Sequence, residues 1–462
     1  MKNIVVITID SLRPDHMSLY GYHKNTTPFL KSLINKFAIY NNAYTNGPST
    51  IPSFIASFTS TYPLMFTVKD PKTGHYNYTL SKHRTTLPGI LNKYGYETIA
   101  FNTNPYLSKY RLGITTKFTK SFELLPGITI GRKTRRKINF NFFSKVFRSF
   151  YSWLEIRNYN LYSSLRSIYQ KIYGVNKPFM TADKVNKHIR KYLFSNKFNW
   201  KRKFIWIHYM DIHVPYYPPQ EYLNVFSKNI EAHEALIANH FLFLKYIRSY
   251  KNIKWIDEKD IIKIIVDAYD ALVLYIDDQL KELFRIFEDS GMPEDTIIAI
   301  FSDHGDEHLE HGNYCHGHSL YEELIKIPFL LKDDLRTSYT DDRIQLLDLS
   351  PHLLNLIGIE KPIQMLGDSI KHKTKIYMET RIPYTHELGG RFLLALIYDQ
   401  YKLIYDRMRN KYELYDLKRD PRENNNIYEE ASDISSNLVN ELNYFYRLTR
   451  KYEIKLKLVS II

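Results

Sequence analysis

The stretch that most constrains this chain is Lys2 to Ile9, KNIVVITI, which ends on Asp10. A short unbroken run of Val and Ile predicts a strand buried on both faces, as in a parallel sheet. In an open α/β sheet, ligands sit in the crevice beyond the carboxyl ends of the strands. Asp10 stands at such an end, followed by Ser11, Arg13, Asp15 and His16. The same construction returns at Thr296 to Phe301, TIIAIF, which runs into Ser302, Asp303, His304 and Gly305. Two buried strands therefore deliver hard oxygen and nitrogen ligands to one edge of a sheet.

The segments between them supply the expected crossovers. Thr27 to Phe37 predicts a helix with Pro28 in its first turn. Pro48 and Pro52 bracket Ser49, Thr50 and Ile51, and a helical pattern begins near Ser53 with Phe54, Ile55 and Phe58 on one side. A hydroxyl there reads as an N-cap or as a nucleophile in the positive field of a helix N-terminus. Leu87 to Tyr94 predicts a helix stopped at Gly95, then a strand over Glu97 to Phe101. Helix, glycine and strand in this order are the repeating unit of a parallel sheet. Helices are expected over Thr181 to Leu193, Glu258 to Ser290 and Leu346 to Leu356, and strands over Lys203 to His208 and Ile327 to Leu331. His213 follows the strand Lys203 to His208. From about residue 372, KIYMET, RFLLALIYD, QYKLIYD and KYELYDL alternate with period two and predict a small antiparallel sheet, closed by a helix over Ile434 to Lys451. The expected division is a catalytic α/β domain over residues 1–370 and a C-terminal α+β subdomain over 371–462.

Composition narrows the function. With 462 residues and 44% hydrophobic residues the chain can bury a large core. Its one cysteine, Cys315, excludes an intrachain disulfide framework and a cysteine-based zinc cluster. No apolar stretch reaches the roughly 20 residues that span a bilayer, and a strand at residue 2 leaves no room for a signal peptide; the expected location is cytoplasmic. A net charge of +15 favours anionic partners. Residues 131–177 crowd Arg132, Lys133, Arg135, Arg136 and Lys137 ahead of Phe140, Phe142, Phe143, Phe147, Phe150 and Trp153. This insertion reads as a helical appendage packed on the main domain, or as a basic aromatic lid that meets a membrane surface or a large substrate.

Asp10, Asp303 and His304 form a hard-cation set, suited to one divalent ion such as Mg²⁺, Mn²⁺ or Ca²⁺. Such an ion polarises an ester oxygen and lowers the pKa of a bound hydroxyl. Thr50 could supply that hydroxyl if the sheet brings its helix over the ion. The histidines of SDHGDEHLEHGNYCHGHSLYEEL could hold an anion or protonate a leaving group.

These motifs resemble the sulfatase family of the alkaline phosphatase superfamily over nearly the whole chain. NIVVITIDSLRPDHMSLYGYHKNTTPFL is similar to the family's opening strand and first metal aspartate. PSTIPSFIASFTS falls at its nucleophile motif, YMDIHVPYYPP at its anion-binding histidine loop, and IIAIFSDHGDEHLEHG at its second metal segment. HGHSLYEELIKIPFLL, DLSPHLLNLIGI and KYELYDLKRDPRENNNI are similar to later stretches. The resemblance implies an alkaline-phosphatase-like core, a mostly parallel sheet flanked by helices. It implies metal ligation by Asp10, Thr50, Asp303 and His304, with Thr50 as nucleophile. His213 and His316 would contact the transferred anion and act in catalysis, and His318 would be a further substrate contact or a neighbour that shapes the loop. Ser49 is the rival hydroxyl, one residue off the family register.

Three positions depart from the family. Ser11 replaces a second aspartate, Phe54 replaces an arginine, and Thr50 replaces the cysteine or serine that is oxidised to formylglycine. Threonine cannot give that aldehyde, so no formylglycine is expected. The resulting expectation is a metal-dependent hydrolase of phosphoric mono- or diesters working through Thr50. The alternatives are a sulfuric ester hydrolase and a catalytically silent anion-binding protein. The expected partner is a phosphate or sulfate ester of a sugar, lipid or aryl alcohol, with no nucleic acid.

Overall fold

Strand β1 (Ile4–Ile9) lies in the middle of the main sheet, and both of its faces are covered. Val5, Ile7 and Ile9 point into one hydrophobic cluster and Ile4 and Val6 into another. That two-sided burial is why the run is continuously apolar. The structure, a computed structural model, describes residues 1–69, 76–78, 80, 84–125, 179–247, 258–333, 335, 337–382 and 391–459. The basic aromatic insertion at 131–177 lies outside the described residues.

The remaining strands of the sheet are β2 (Ala38–Tyr44), β3 (Glu97–Asn102), β4 (Lys120–Glu123), β5 (Lys203–Tyr209), β6 (Ile297–Ser302), β7 (Lys326–Ile327), β8 (Phe329–Lys332) and β9 (Ser338–Gln345). Their order is β7-β2-β8-β6-β1-β5-β3-β4, with β9 paired to β2, nine strands in all. From β6 to β4 every pairing is parallel. The β8 pairings to β6 and β2 are antiparallel. The expected single strand over Ile327 to Leu331 is instead two short strands either side of Pro328, which cannot donate to a ladder.

Three further strands of this sheet were not expected, β4 among them. β2 carries Asn41 and Asn42 in its middle, which breaks the apolar pattern, and β9 buries only Ile344 and Gln345 and carries two aspartates. Each is legible only from its neighbour: Asn41 Nδ2 donates to Asp341 at 2.8 Å. The helix expected over Thr27 to Phe37 is confined to Pro28–Ser32, because the chain turns at Leu33 to enter β2. Its first backbone N–H groups are satisfied from outside: Phe29 and Leu30 donate to the Asp277 carboxylate at 2.6 and 2.9 Å.

Helix α1 (Thr50–Thr59) packs Phe54 and Phe58 on the Ile4 and Val6 face of the sheet. The 32-residue helix α2 (Glu258–Asp289) covers the opposite face, with Ile265, Leu272 and Ile276 buried against Val5, Ile7 and Ile9.

The C-terminal sheet is antiparallel, β10 (Lys375–Ile382), β11 (Arg391–Tyr398), β12 (Tyr401–Asp406) and β13 (Lys411–Asp416), in sequential order. Leu394, Leu396, Leu403 and Leu414 pack against Leu438, Leu442 and Phe445 of helix α3 (Ser432–Val459). Its other face meets Leu320, Leu324 and Ile325 of the main domain. Beside them, the fully buried Lys402 ammonium lies 2.7 Å from the equally buried Glu423 and 3.2 Å from Glu322. This sheet is thereby keyed to the segment that follows His304, His316 and His318.

Candidate functional site

Asp10, Asp303 and His304 emerge from adjacent strands. β1 pairs β6 in register, Ile9 beside Ser302, so the residues that follow meet at one edge. Ser11 takes a left-handed φ of 60° and turns the chain there. Its backbone N–H donates to Asp303 Oδ1 at 3.3 Å, and its hydroxyl donates to Asp10 Oδ1 at 3.0 Å. A serine in place of a second acid therefore braces both carboxylates. Gly305 permits the close passage of the Glu323 carbonyl, which a Cβ would strike. His304 Nδ1 is bonded to the Gly305 carbonyl at 2.9 Å, which turns Nε2 toward the acids, 3.7 Å from Asp10 Oδ1 and 3.6 Å from Asp303 Oδ2.

Thr50 joins this group from helix α1. The helix begins at Thr50 itself, not near Ser53; Ser49 occupies the N-cap position without a side-chain cap bond. Pro52 is tolerated in the first turn because the N–H it lacks would have had no partner within the helix. Thr50 Oγ1 lies 3.4 Å from Asp10 Oδ2 and 3.3 Å from His304 Nε2.

Two residues not anticipated from sequence complete the cluster. His208 lies within β5, its Nε2 3.4 Å from Asp10 Oδ2 and its Nδ1 2.8 Å from Thr8 Oγ1. Phe54, in the place of an arginine, packs edge-on to the His208 ring at 5.2 Å. Asn104, just beyond β3, donates from Nδ2 to Asp10 Oδ2 at 3.1 Å. A lone imidazole in the apolar run FIWIHY was the available signal for His208.

His316 lies tilted against His304 with ring centroids 4.2 Å apart, and His213 meets His316 at 5.2 Å. Each has Nδ1 engaged: His316 with Asp306 at 2.6 Å, His213 with the Val214 carbonyl at 2.6 Å. Their Nε2 atoms remain for a ligand. His318 is placed elsewhere, its Nε2 on Glu307 at 2.7 Å.

The electrostatics of the site are those of a cation binder. Burial pushes the Asp10 carboxyl up, yet His213, His208 and His304 together hold it well below the usual carboxylate range. Burial, then repulsion from Asp10, pushes Asp303 up to about 7. Burial lowers the His304 pKa, which favours its neutral imidazole, the form able to ligate a metal. Asp303 Oδ2 and His208 Nε2 are buried with no hydrogen bond. Ligand atoms of Asp10, His208 and Asp303 all lie within 4.8 Å of one another, as do those of His304, Asp306 and His316. Two converging carboxylates, the neutral His304 imidazole and unsatisfied buried ligand atoms fit a divalent ion.

Comparison with known proteins shows the family. The Sulfatase family model matches residues 2–359, and the model for the C-terminal part of N-sulphoglucosamine sulphohydrolase matches 309–447. The chain is 29% identical over 181 residues to an N-acetylglucosamine-6-O-sulfatase of Bacteroides thetaiotaomicron; that match spans 35% of the chain and about a third (32%) of the relative. It is 23% identical to an arylsulfatase of Clostridium perfringens, covering 92% of the chain and 90% of the relative. It is 22% identical to human arylsulfatase K, covering 95% and 81%. Among solved structures, a protein in complex with its substrate D-glucosamine-2-N,6-O-disulfate superposes with a TM-score of 0.71 at 16% identity, covering 97% of this chain and 98% of that one. A phosphonate monoester hydrolase of Agrobacterium radiobacter gives a TM-score of 0.67 at 16% identity, covering 98% and 96%.

These findings correct the expectation of a phosphoric ester substrate. The curated relatives are sulfatases and arylsulfatases, two of them across nearly the full chain. The physical reason is that one residue, Thr50, carried that expectation, and a threonine oxygen beside a cation can attack tetrahedral sulfur as well as phosphorus. No described helix is long and apolar enough to cross a membrane.

Proposed function

Because the chain belongs to the sulfatase family, we propose that it hydrolyses sulfuric esters of sugars or aryl alcohols. The observation that carries this reading is the position of Thr50 Oγ1, 3.4 Å from Asp10 and 3.3 Å from His304, whose ring lies against that of His316.

Asp10, Asp303, His304 and Thr50 would hold one divalent cation, with His208 beside them. When bound, that ion polarises a sulfate oxygen and favours an ionised hydroxyl. Thr50 Oγ1, ionised with its proton already released to solvent, attacks sulfur, its bond to sulfur forms, and the bond from sulfur to the alcohol oxygen breaks. His316, held by Asp306, gives a proton from Nε2 to the departing alcohol. His213 contacts the sulfate oxygens. Water then attacks sulfur, the bond to Thr50 breaks, sulfate leaves, and the proton is restored to His316. Asp306 stays ionised to hold the His316 ring: burial raises its pKa, but His316 brings it below the ordinary carboxylate value.

Purified protein is to be assayed with 4-nitrophenyl sulfate, 4-nitrophenyl phosphate and a phenylphosphonate ester, each with Mg²⁺, Mn²⁺ and Ca²⁺. Preferred release from the sulfate is expected. Release from the phosphate alone, or from none of them, overturns the reading.

A further inference from the structure

We propose that Tyr216 and His308 are positioning residues for His316: their buried hydrogen bonds grip the Asp306 carboxylate and, through it, fix the ring that protonates the departing alcohol. The inference rests on the sulfuric ester reading and deepens it by naming what holds its proton donor.

His316 occupies one oxygen of Asp306, its Nδ1 lying 2.6 Å from Oδ1. The other oxygen, Oδ2, accepts from the Tyr216 hydroxyl at 2.8 Å. The same hydroxyl lies 3.0 Å from His308 Nε2. Tyr216, Asp306 and His308 are all buried.

The direction of the protons follows from this inventory. A phenol has one proton to give and an ionised carboxylate has none. Burial, then the Asp306 charge, pushes the Tyr216 phenol well up, so it keeps its proton and gives it to Oδ2. Its oxygen then accepts from His308, whose Nε2 carries the hydrogen. Burial, then Arg13, lowers the His308 pKa to about 4, so this ring is neutral with a single N–H. Its Nδ1 is therefore bare, and that atom is buried without a hydrogen bond. With the hydrogen on Nδ1 instead, a buried N–H would have no acceptor.

The chain of bonds is held independently of the reacting atoms. The Tyr216 N–H donates to Asn239 Oδ1 at 3.1 Å, and Asn239 Nδ2 donates back to the Tyr216 carbonyl at 3.4 Å. Tyr269 packs edge-on to both rings, with centroids 5.3 Å from Tyr216 and 4.9 Å from His308. Its own hydroxyl donates to the Ser11 carbonyl at 2.7 Å. His308 is set by the pairing of Glu307–His308 with Tyr314–Cys315. A carboxylate gripped at both oxygens does not swing away from His316, so Nδ1 keeps its hydrogen and Nε2 is left to serve the leaving group.

The test uses the full chain and two sulfate esters that differ in leaving group. Nitrophenolate departs with little need of a proton, whereas phenolate needs one. Tyr216→Phe keeps the ring and removes the bond to Asp306. It is expected to lower kcat for phenyl sulfate about tenfold or more beyond its effect on 4-nitrophenyl sulfate. His308→Leu should behave in the same way, and His308→Gln, whose amide still donates to the phenol, should restore the phenyl sulfate rate. A second readout needs no turnover. The proton between His316 and Asp306 should give a downfield NMR resonance, assigned by its loss in His316→Gln, and Tyr216→Phe should shift or broaden it. Equal effects of Tyr216→Phe on the two esters, or an unmoved resonance, overturns the positioning role. Failure of the sulfuric ester reading shows separately, as absent turnover of both esters by the unaltered chain, and the resonance then decides the positioning role by itself.

Discussion

Thr50 Oγ1 lies 3.3 Å from His304 Nε2 although 254 positions separate the two residues. One stands at the first position of helix α1, the other just past a strand end, and the parallel sheet between them fixes the distance. A hydroxyl so placed meets a neutral imidazole, a carboxylate and a helix N-terminus together, all of which favour its attacking form.

Thr50→Ala is expected to lower aryl sulfate turnover by several orders of magnitude with an unchanged circular dichroism spectrum. Ser49→Ala should be mild, because Ser49 makes no side-chain cap bond. Intact-mass spectrometry of acid-quenched enzyme should show one added sulfonate group on Thr50. Near-native turnover by Thr50→Ala would falsify covalent catalysis by this residue.

Asp303→Ala should remove bound divalent metal and activity together. Asp303 Oδ2 and His208 Nε2 are the buried ligand atoms left without hydrogen bonds in this cluster. Metal content measured by emission spectroscopy is the check, and full retention in the variant places the ion elsewhere.

Lys402→Met should lower thermal stability sharply. The ammonium is fully buried against Glu423 and Glu322, and its loss leaves buried acid unpaired, an effect on the order of 3–5 kcal/mol. Adding Glu423→Gln should recover part of the loss. A melting curve unmoved by Lys402→Met excludes a stabilising role for the pair.

His311 predicts a pH dependence of stability. Burial lowers its pKa, but the Glu323 hydrogen bond at 2.7 Å and the neighbouring Glu423 raise it to about 9 from an ordinary 6.5. The folded state therefore holds this proton more tightly than the unfolded state. The contribution is complete below about pH 6.5 and is lost as pH rises through about 9. The stability gap between the native chain and His311→Gln, measured by urea unfolding, should be widest near pH 6 and narrow by pH 10. A gap constant across that range contradicts the assignment.

The departures from the family motif illustrate what a residue can and cannot show alone. Phe54 in place of an arginine suggested a silent site in sequence. In the fold it packs edge-on to His208, whose Nε2 lies 3.4 Å from Asp10 Oδ2, so the position serves the site through a neighbouring strand. Asn104 was visible only as a residue past a strand end, since nothing local links it to Asp10, 94 positions away. β2 and β9 escaped notice for a related reason: their asparagines and aspartates satisfy one another across strands and leave no apolar period.

By itself the sequence determined the parallel core, because a strand buried on both faces must be apolar almost throughout, and IVVITI and IIAIF are. It also determined that Asp10, Asp303 and His304 fall at strand ends, since position along a strand is counted in residues. Only the tertiary structure decided which other side chains reach them. His208, Asn104 and Asp306 enter through strand register and loop closure, and His318 turns away to Glu307. Those distances depend on how strands stack and helices cross. Residue periodicity carries the direction of a side chain within its own element, but not the neighbour it meets in another.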